Sequence, residues 1–281
     1  MKNPLFKYTT VVLVIVCLCI YLFVTAPPPL DTSGNCSSDA IPIDQAFLLL
    51  AHENNVVRTL YTQDIVAPGT RQGMRFAEHW RDNAVHAGPL PALFLRETAA
   101  YLEAQPIQLG LFLGSDFPLT AANAFSGDQA QAFARVKRER TPVFFFVADT
   151  GMHAAMFADI AIAEACIDCH NHHPHAPKSD WALGDVMGAT TWTYPKAVVS
   201  TNELLTMLQV LRRGFTQAYT AFLTEAADFP SPPEIGDRWP VAGNYLPTPD
   251  VFMRAATERS SSDSLRVLLS QIDAQRGGDA L

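Results

Sequence analysis

The chain has 281 residues, a formal net charge of −8 and 48% apolar residues. This length allows one or two domains with a buried core, and the acidic balance argues against nucleic acid and against docking on acidic lipid. Five cysteines do not make a disulfide scaffold, and the sequence carries no internal repeat, nucleotide-binding motif or recognisable Ser-His-Asp arrangement.

In chain order, Lys2 and Lys7 precede an apolar run from Tyr8 to Ala26. A basic flank before an apolar stretch marks a secretory signal or an N-terminal anchor. The run can span a bilayer, which takes roughly 20 apolar residues. Val24-Thr25-Ala26 loosely resembles a cleavage site, but Pro27 follows and blocks it. The expectation is therefore a single-pass anchor in a bacterial inner membrane: 1–7 a cytoplasmic stub, 8–26 the span, 27–43 a periplasmic stalk, stiff from Pro27-Pro28-Pro29. A cleaved signal leaves the same compartment. Cys17 and Cys19 fall in the span, where they pack as small apolar residues.

Beyond the stalk, Phe47, Leu50, His52, Val56 and Leu60 predict a helix over 44–65. His79–Ala87 is polar and reads as loop or helix end. Ile107–Leu113 reads as a strand, with turns over Gly114–Asn123. Gly127–Arg140 reads as a helix whose basic end, Lys137-Arg138-Glu139-Arg140, is a solvated face. Val143–Ala148 reads as a buried strand, and Met152–Ile162 as another, interrupted by His153 and Asp159. Ala189–Tyr194 alternates β-formers. Ser200–Ala226 is the clearest helix: Ser200 with Glu203 forms a capping box, and Leu204, Leu208, Leu211, Phe215, Tyr219 and Phe222 form one apolar stripe. That stripe is expected to pack on the preceding domain or on another copy. Gln209, Arg212, Arg213 and Gln217 exclude it from a membrane. A Pro-rich linker over Pro230–Pro249 and two short helices, near 250–259 and 262–275, end the chain. This succession predicts an α+β domain with an antiparallel sheet over 44–200, and a helical extension over 201–281.

Cys166-Ile167-Asp168-Cys169-His170 carries the chemistry. Two thiols separated by two residues, followed by histidine, match the attachment site of a c-type haem. The thiols add across the two porphyrin vinyl groups, so they lie about one helical turn apart, and the next residue offers an axial imidazole to iron. A redox dithiol or a zinc site is the alternative. A zinc ribbon needs a second Cys pair, which is absent; a dithiol leaves His170 unexplained; His172, His173 and His175 keep a zinc site open. Export favours haem, because the bacterial outer compartment is where haem is ligated to thiols.

The residues after the motif, Asn171-His172-His173-Pro174, then Pro177-Lys178-Ser179-Asp180-Trp181, then Gly184-Asp185-Val186-Met187-Gly188, extend the pattern. So do Arg58-Thr59-Leu60-Tyr61-Thr62 and Pro89-Leu90-Pro91-Ala92 upstream. Together, over roughly 45–200, they resemble the c-type-haem, PAS-like domain family related to a cyanobacterial haem protein of Tll type. The resemblance implies a PAS-like antiparallel sheet with flanking helices and one covalent haem c on its C-terminal side. Cys166 and Cys169 hold the haem, and His170 is the proximal iron ligand. Candidates for the distal position are His86, which abuts the matching 89–92 segment, then Met152, His153 and Met156, with Cys36 an outsider otherwise read as a free surface thiol; an open position is equally compatible. His172, His173 and His175 are expected to hydrogen-bond around the haem edge, with Lys178 or Arg58 near a propionate. Asp180 and Asp185 are expected to fix the loop. No catalytic carboxylate pair or other enzymatic constellation is present. The expected role is one-electron transfer or redox sensing with redox partner proteins at the outer membrane face. Gas sensing through a partner, a place in a larger redox complex, and a homodimer through the 201–226 helix are the alternatives.

Overall fold

The computed structural model describes residues 15–18, 21, 40–82, 84–161, 164–240 and 245–261. Most of the expected span 8–26, the stalk as far as residue 39 with Cys36, and the second C-terminal helix at 262–275 lie outside the described residues. The end of the expected stalk, 40–43, belongs instead to the folded unit, where Ile41–Pro42 form a strand and Ile43 opens a helix. Among the described residues no helix is long and apolar enough to cross a membrane. The chain divides into two units, 1–39 and 40–281. In the first, residues 15–18 and 21 are helical and exposed. Everything below concerns the second.

Its frame is a four-stranded antiparallel sheet with helices on both faces. The strands are β4 (Gly110–Gly114), β5 (Val143–Val147), β6 (Met152–Ile160) and β7 (Val186–Tyr194), in the order β4-β7-β6-β5. Side chains alternate across the pleat. On one face Leu111, Ala155 and Trp192 join the larger core; on the other Met156, Val186 and Ala189 meet Phe125, Ala132, Phe133 and Val136. The second group includes α4 (Gly127–Glu139), a helix where the spacing predicts one.

The larger core is helical. α1 (Ile43–Leu60) buries Ile43, Phe47, Leu50, Val57 and Leu60, then passes through a π-helical turn (Tyr61–Val66) into α2 (Ala67–Arg71). α3 (Pro91–Glu103) is a helix that the sequence reading did not assign. Pro91 starts it, since its fixed φ suits a first turn, and Phe94, Leu95, Thr98 and Leu102 bury one face. α6 (Thr201–Ala227) lies against α3 and α1. A Cβ on Gly214 would sit 3.0 Å from Thr98 Cγ2, so the bare glycine sets the α3–α6 approach. Tyr61 stacks on Phe94 with centroids 4.4 Å apart, and Tyr219 on Phe252 at 4.2 Å. Both phenols find carbonyls, Tyr61 donating to Pro89 at 2.7 Å and Tyr219 to Pro247 at 3.1 Å. Burial pushes both phenols well up, so they stay neutral.

The apolar stripe of α6 packs on the preceding domain, one of the two partners expected for it: Leu204, Leu211, Phe215, Tyr219 and Phe222 are buried and Leu208 is half-buried. Other expectations need adjusting. The predicted buried strand 143–148 is the sheet's edge, with only Val143 buried and Phe146 53% exposed. A continuous apolar run signals burial on both faces, and an edge does not supply it. The segment 230–249 is more than a linker. It holds β9 (Glu234–Gly236), paired in parallel with β10 (Tyr245–Pro247), and Leu246 is buried. After it α7 (249–261) inserts Phe252 and Ala256 into the larger core. Short pairs β1 (Ile41–Pro42) with β8 (Val198–Val199), and β2 (Phe76–Ala77) with β3 (Gly88–Pro89), complete the unit.

The capping box forms as the sequence predicts. Glu203 N–H donates to Ser200 Oγ at 3.2 Å, and Ser200 N–H to the Glu203 carboxylate at 3.5 Å. Lys196 Nζ at 2.7 Å and the Tyr194 hydroxyl at 2.5 Å also donate to Glu203. These two bonds, the lysine's first, hold its carboxyl below the usual range. A depressed folded value means stability that is full above the unfolded Glu value and is lost as pH falls through the folded one. Glu203→Gln keeps a capping residue but removes the charge. It is expected to cost about 1 kcal/mol at pH 7 and close to nothing near pH 3, read by thermal melts across that range.

Candidate haem attachment site

Between β6 and β7 the chain leaves the sheet over 161–185. Ala161 N–H donates to Asp185 O and Gly184 N–H to Ala161 O, both at 2.9 Å, closing the neck of this excursion. Its rising limb is α5 (Glu164–His172). At 3.6 residues per turn, positions i, i+3 and i+4 share one helix face. Cys166, Cys169 and His170 therefore occupy one face of one short helix. Cys169 is exposed.

His170 is half-buried. Burial first, and then the neighbouring His173, hold its imidazole below the usual value. It is thus neutral at pH 7, the form that ligates iron. His173 Nδ1 accepts the N–H of His175 at 3.1 Å, which leaves its Nε2–H to donate to Glu78 Oε2 at 3.1 Å. His172 turns back on its own helix, to Asp168 O at 2.9 Å and the Asp168 carboxylate at 3.0 Å. The His175 ring lies 5.7 Å from that of His173. Among the described residues no three His, Cys, Asp or Glu side chains come together to hold a metal ion.

The descending limb is fixed by Asn171. Its Nδ2–H donates to Trp181 O at 3.0 Å, and its Oδ1 accepts Trp181 N–H at 2.8 Å. This two-way clamp folds the loop back on α5. Trp181 is buried, with Lys178 Nζ 4.7 Å from its ring centroid and Phe117 edge-on at 6.1 Å. Lys178 pairs with Asp180, and its hydrogen bond holds that carboxyl below the usual range. Asp185 accepts Ala182 N–H at 2.9 Å, beside Gly184 at φ +87°. Asp185 thus fixes a turn of the loop, whereas Asp180 is largely exposed and pairs with its near neighbour Lys178.

The other candidates fall into two groups. Arg58, from α1, pairs with Asp159 at the end of β6, at the base of the excursion. His86 is exposed, in a left-handed turn (φ 47°) before β3, with its ring 6.3 Å from Phe229. Its segment reaches the loop through Glu78. Met152, His153 and Met156 belong elsewhere. At about 3.3 Å per residue, His153 lies some 23 Å and Met156 some 13 Å back along β6 from Ile160. His153 packs against Phe146 at 5.2 Å, and Met156 is buried in the α4-side core. The structure does not bring these three to α5.

Sequence reasoning passed over Glu78 and gave Asn171 no role. Asn171 stood within the quoted motif, and its spacing to Trp181 was the available signal. Glu78 lies 95 residues from His173, and no local pattern links them.

The donor set suits a covalently attached haem: two cysteines and a neutral histidine on one helix face, in an anchored loop with Arg58 at its base. A model of the Tll0287-like family matches residues 42–195, more than half of the chain. No curated protein and no solved structure matches it.

Proposed function

The chain belongs to the Tll0287-like family, and from that premise we propose a membrane-anchored, periplasmic monohaem c-type cytochrome that works in one-electron transfer or redox sensing. The observation that supports it is the helix α5, in which Cys166, Cys169 and His170 stand at positions i, i+3 and i+4. Cys166 and Cys169 hold one haem c, and His170 is the proximal iron ligand. Bound there, the haem supplies a one-electron couple whose potential follows axial ligation, burial and hydrogen bonding. Neutral His170 offers a lone pair without first losing a proton. The Asn171–Trp181 clamp keeps the loop beside the helix, and Glu78 orients His173. Arg58 and Lys178 are the cations for propionates, and His86 is the leading protein candidate for the distal position, with Cys36 the outsider. The four-stranded antiparallel sheet with helices on both faces supports a PAS-like reading of the domain. The apolar run 8–26 is the anchor, and redox proteins at the outer membrane face are the partners. Enzymatic bond chemistry has no place in this reading.

The test is the absorption spectrum of the full chain, matured with haem machinery, before and after dithionite and carbon monoxide. A low-spin spectrum indifferent to carbon monoxide in both redox states is expected. Ready carbon monoxide binding by the reduced form overturns the redox reading in favour of gas sensing. Replacing His86 by Ala in the same measurement is expected to open the sixth position; an unchanged spectrum removes it as a ligand.

A further inference from the structure

We propose that two copies of this chain associate through the open edge of the sheet, β5 pairing antiparallel with β5 of a second copy to make one continuous eight-stranded sheet. β5 ends the strand order β4-β7-β6-β5, and among the described residues no strand pairs with its outer side. The outer side of the five β5 residues has no strand partner among the described residues and carries no charge, proline or bulge; Pro142 stands just before the strand, and Val147 O is taken by Thr150 and Gly151 N–H in the following turn. Protected sheet edges ordinarily carry one of those devices.

The occupant follows from the sequence of the edge itself. Val143-Phe144-Phe145-Phe146-Val147 reads the same in both directions. An antiparallel pair about a two-fold axis through Phe145 sets Val143 against Val147 and Phe144 against Phe146 of the other copy, twice over. A two-fold contact needs such a self-complementary patch. Side-chain placement agrees. Phe144 contacts Phe157 and Phe146 contacts His153 on the face of the larger core, whereas Phe145 packs on the α4 side. Each exposed Phe146 therefore meets a half-buried Phe144 across the axis, an aromatic cross-strand pair of the kind that stabilises sheets.

Charge fixes the direction. Lys137-Arg138-Glu139-Arg140 leads into β5, and Asp149 follows it. Lys137 is engaged with Asp116, and Arg138 with Glu139. Arg140 and Asp149 are exposed and take part in no salt bridge among the described residues. The register centred on Phe145 brings the start of each β5, which Arg140 precedes, to the end of the other, where Asp149 stands in the turn after the strand, so the two charges come to the same ends of the pair. Parallel pairing would set like charge beside like charge. A five-residue strand pair is small for an interface, so dissociation constants of tens of micromolar are expected.

Sedimentation equilibrium of the full-length chain in mild detergent, from about 1 to 200 µM to bracket that affinity, tests the proposal. The wild type is expected to pass from one chain to two. Phe146→Lys, at an exposed position that leaves the core intact by circular dichroism, is expected to abolish the dimer. Arg140→Glu alone is expected to weaken association about tenfold, and the pair Arg140→Glu with Asp149→Arg to return it to near the wild-type value. A single-chain mass throughout overturns the proposal. So does a dimer that survives Phe146→Lys, which would place the contact on another surface or in the anchor.

Discussion

Replacing Cys166 and Cys169 together by alanine is expected to yield a chain with no covalent haem: no peroxidase stain after denaturing electrophoresis, and an intact mass equal to that of the bare polypeptide. Only a thioether bond survives denaturation, and Cys166 and Cys169 stand three positions apart in α5 with His170 next in sequence. Each single replacement leaves one thiol and is expected to lower haem incorporation rather than abolish it. His170→Ala separates attachment from ligation. Its thiols remain, so a stained band persists, but the spectrum loses its histidine-ligated character. A chain of native sequence, matured beside functional attachment machinery and still carrying no haem mass, would overturn the assignment. The outcome does not depend on the distal position, so it stands apart from the carbon monoxide experiment.

The parts of this protein legible in its sequence are those governed by short-range rules. The capping box at Ser200 and Glu203 is one, since its partners are three residues apart and each satisfies an orphan helix donor. The i, i+3, i+4 face of α5 is another. The stripe of α6 was legible as a stripe, but the residues that cover it were not, because Phe94 of α3 lies on Phe215, and Tyr61 and Phe76 on Phe222, all more than a hundred residues earlier. α3 itself escaped because Pro91 reads as punctuation; only the spacing of Phe94, Leu95, Thr98 and Leu102 turns it into a first-turn proline. β5 was misplaced for a related reason. Three consecutive phenylalanines look like core, and topology alone decides that they form an edge. The site shows the same division. Cysteine spacing and the Asn171–Trp181 segment are local and were visible. The Glu78–His173 bond and the Arg58–Asp159 pair, 101 residues apart, come from the fold.

Arg212→Leu is expected to destabilise the domain by about 3 kcal/mol, the low end for stranding a buried charge. Glu53, in the middle of α1, is buried, yet it carries a carboxylate into the α1–α6 interface. Arg212 of α6 answers it with a fork, Nε donating at 3.2 Å and Nη2 at 3.1 Å to both oxygens. Arg212 itself is partly exposed, so the guanidinium keeps some hydration while it satisfies Glu53. Removing the arginine takes the donors of that fork from the buried carboxylate, and leucine at that position supplies none. The pair acts across 159 residues, tying α6 to α1. The second replacement, Glu53→Leu in the Arg212→Leu background, removes the stranded charge and fills the interface with apolar volume. It is expected to recover most of the loss, because apolar substitutes for buried ion pairs are often neutral. Urea unfolding of the two variants decides it. Equal midpoints for the single and double variants would mean that the loss comes from packing against the arginine stem and not from the charge of Glu53.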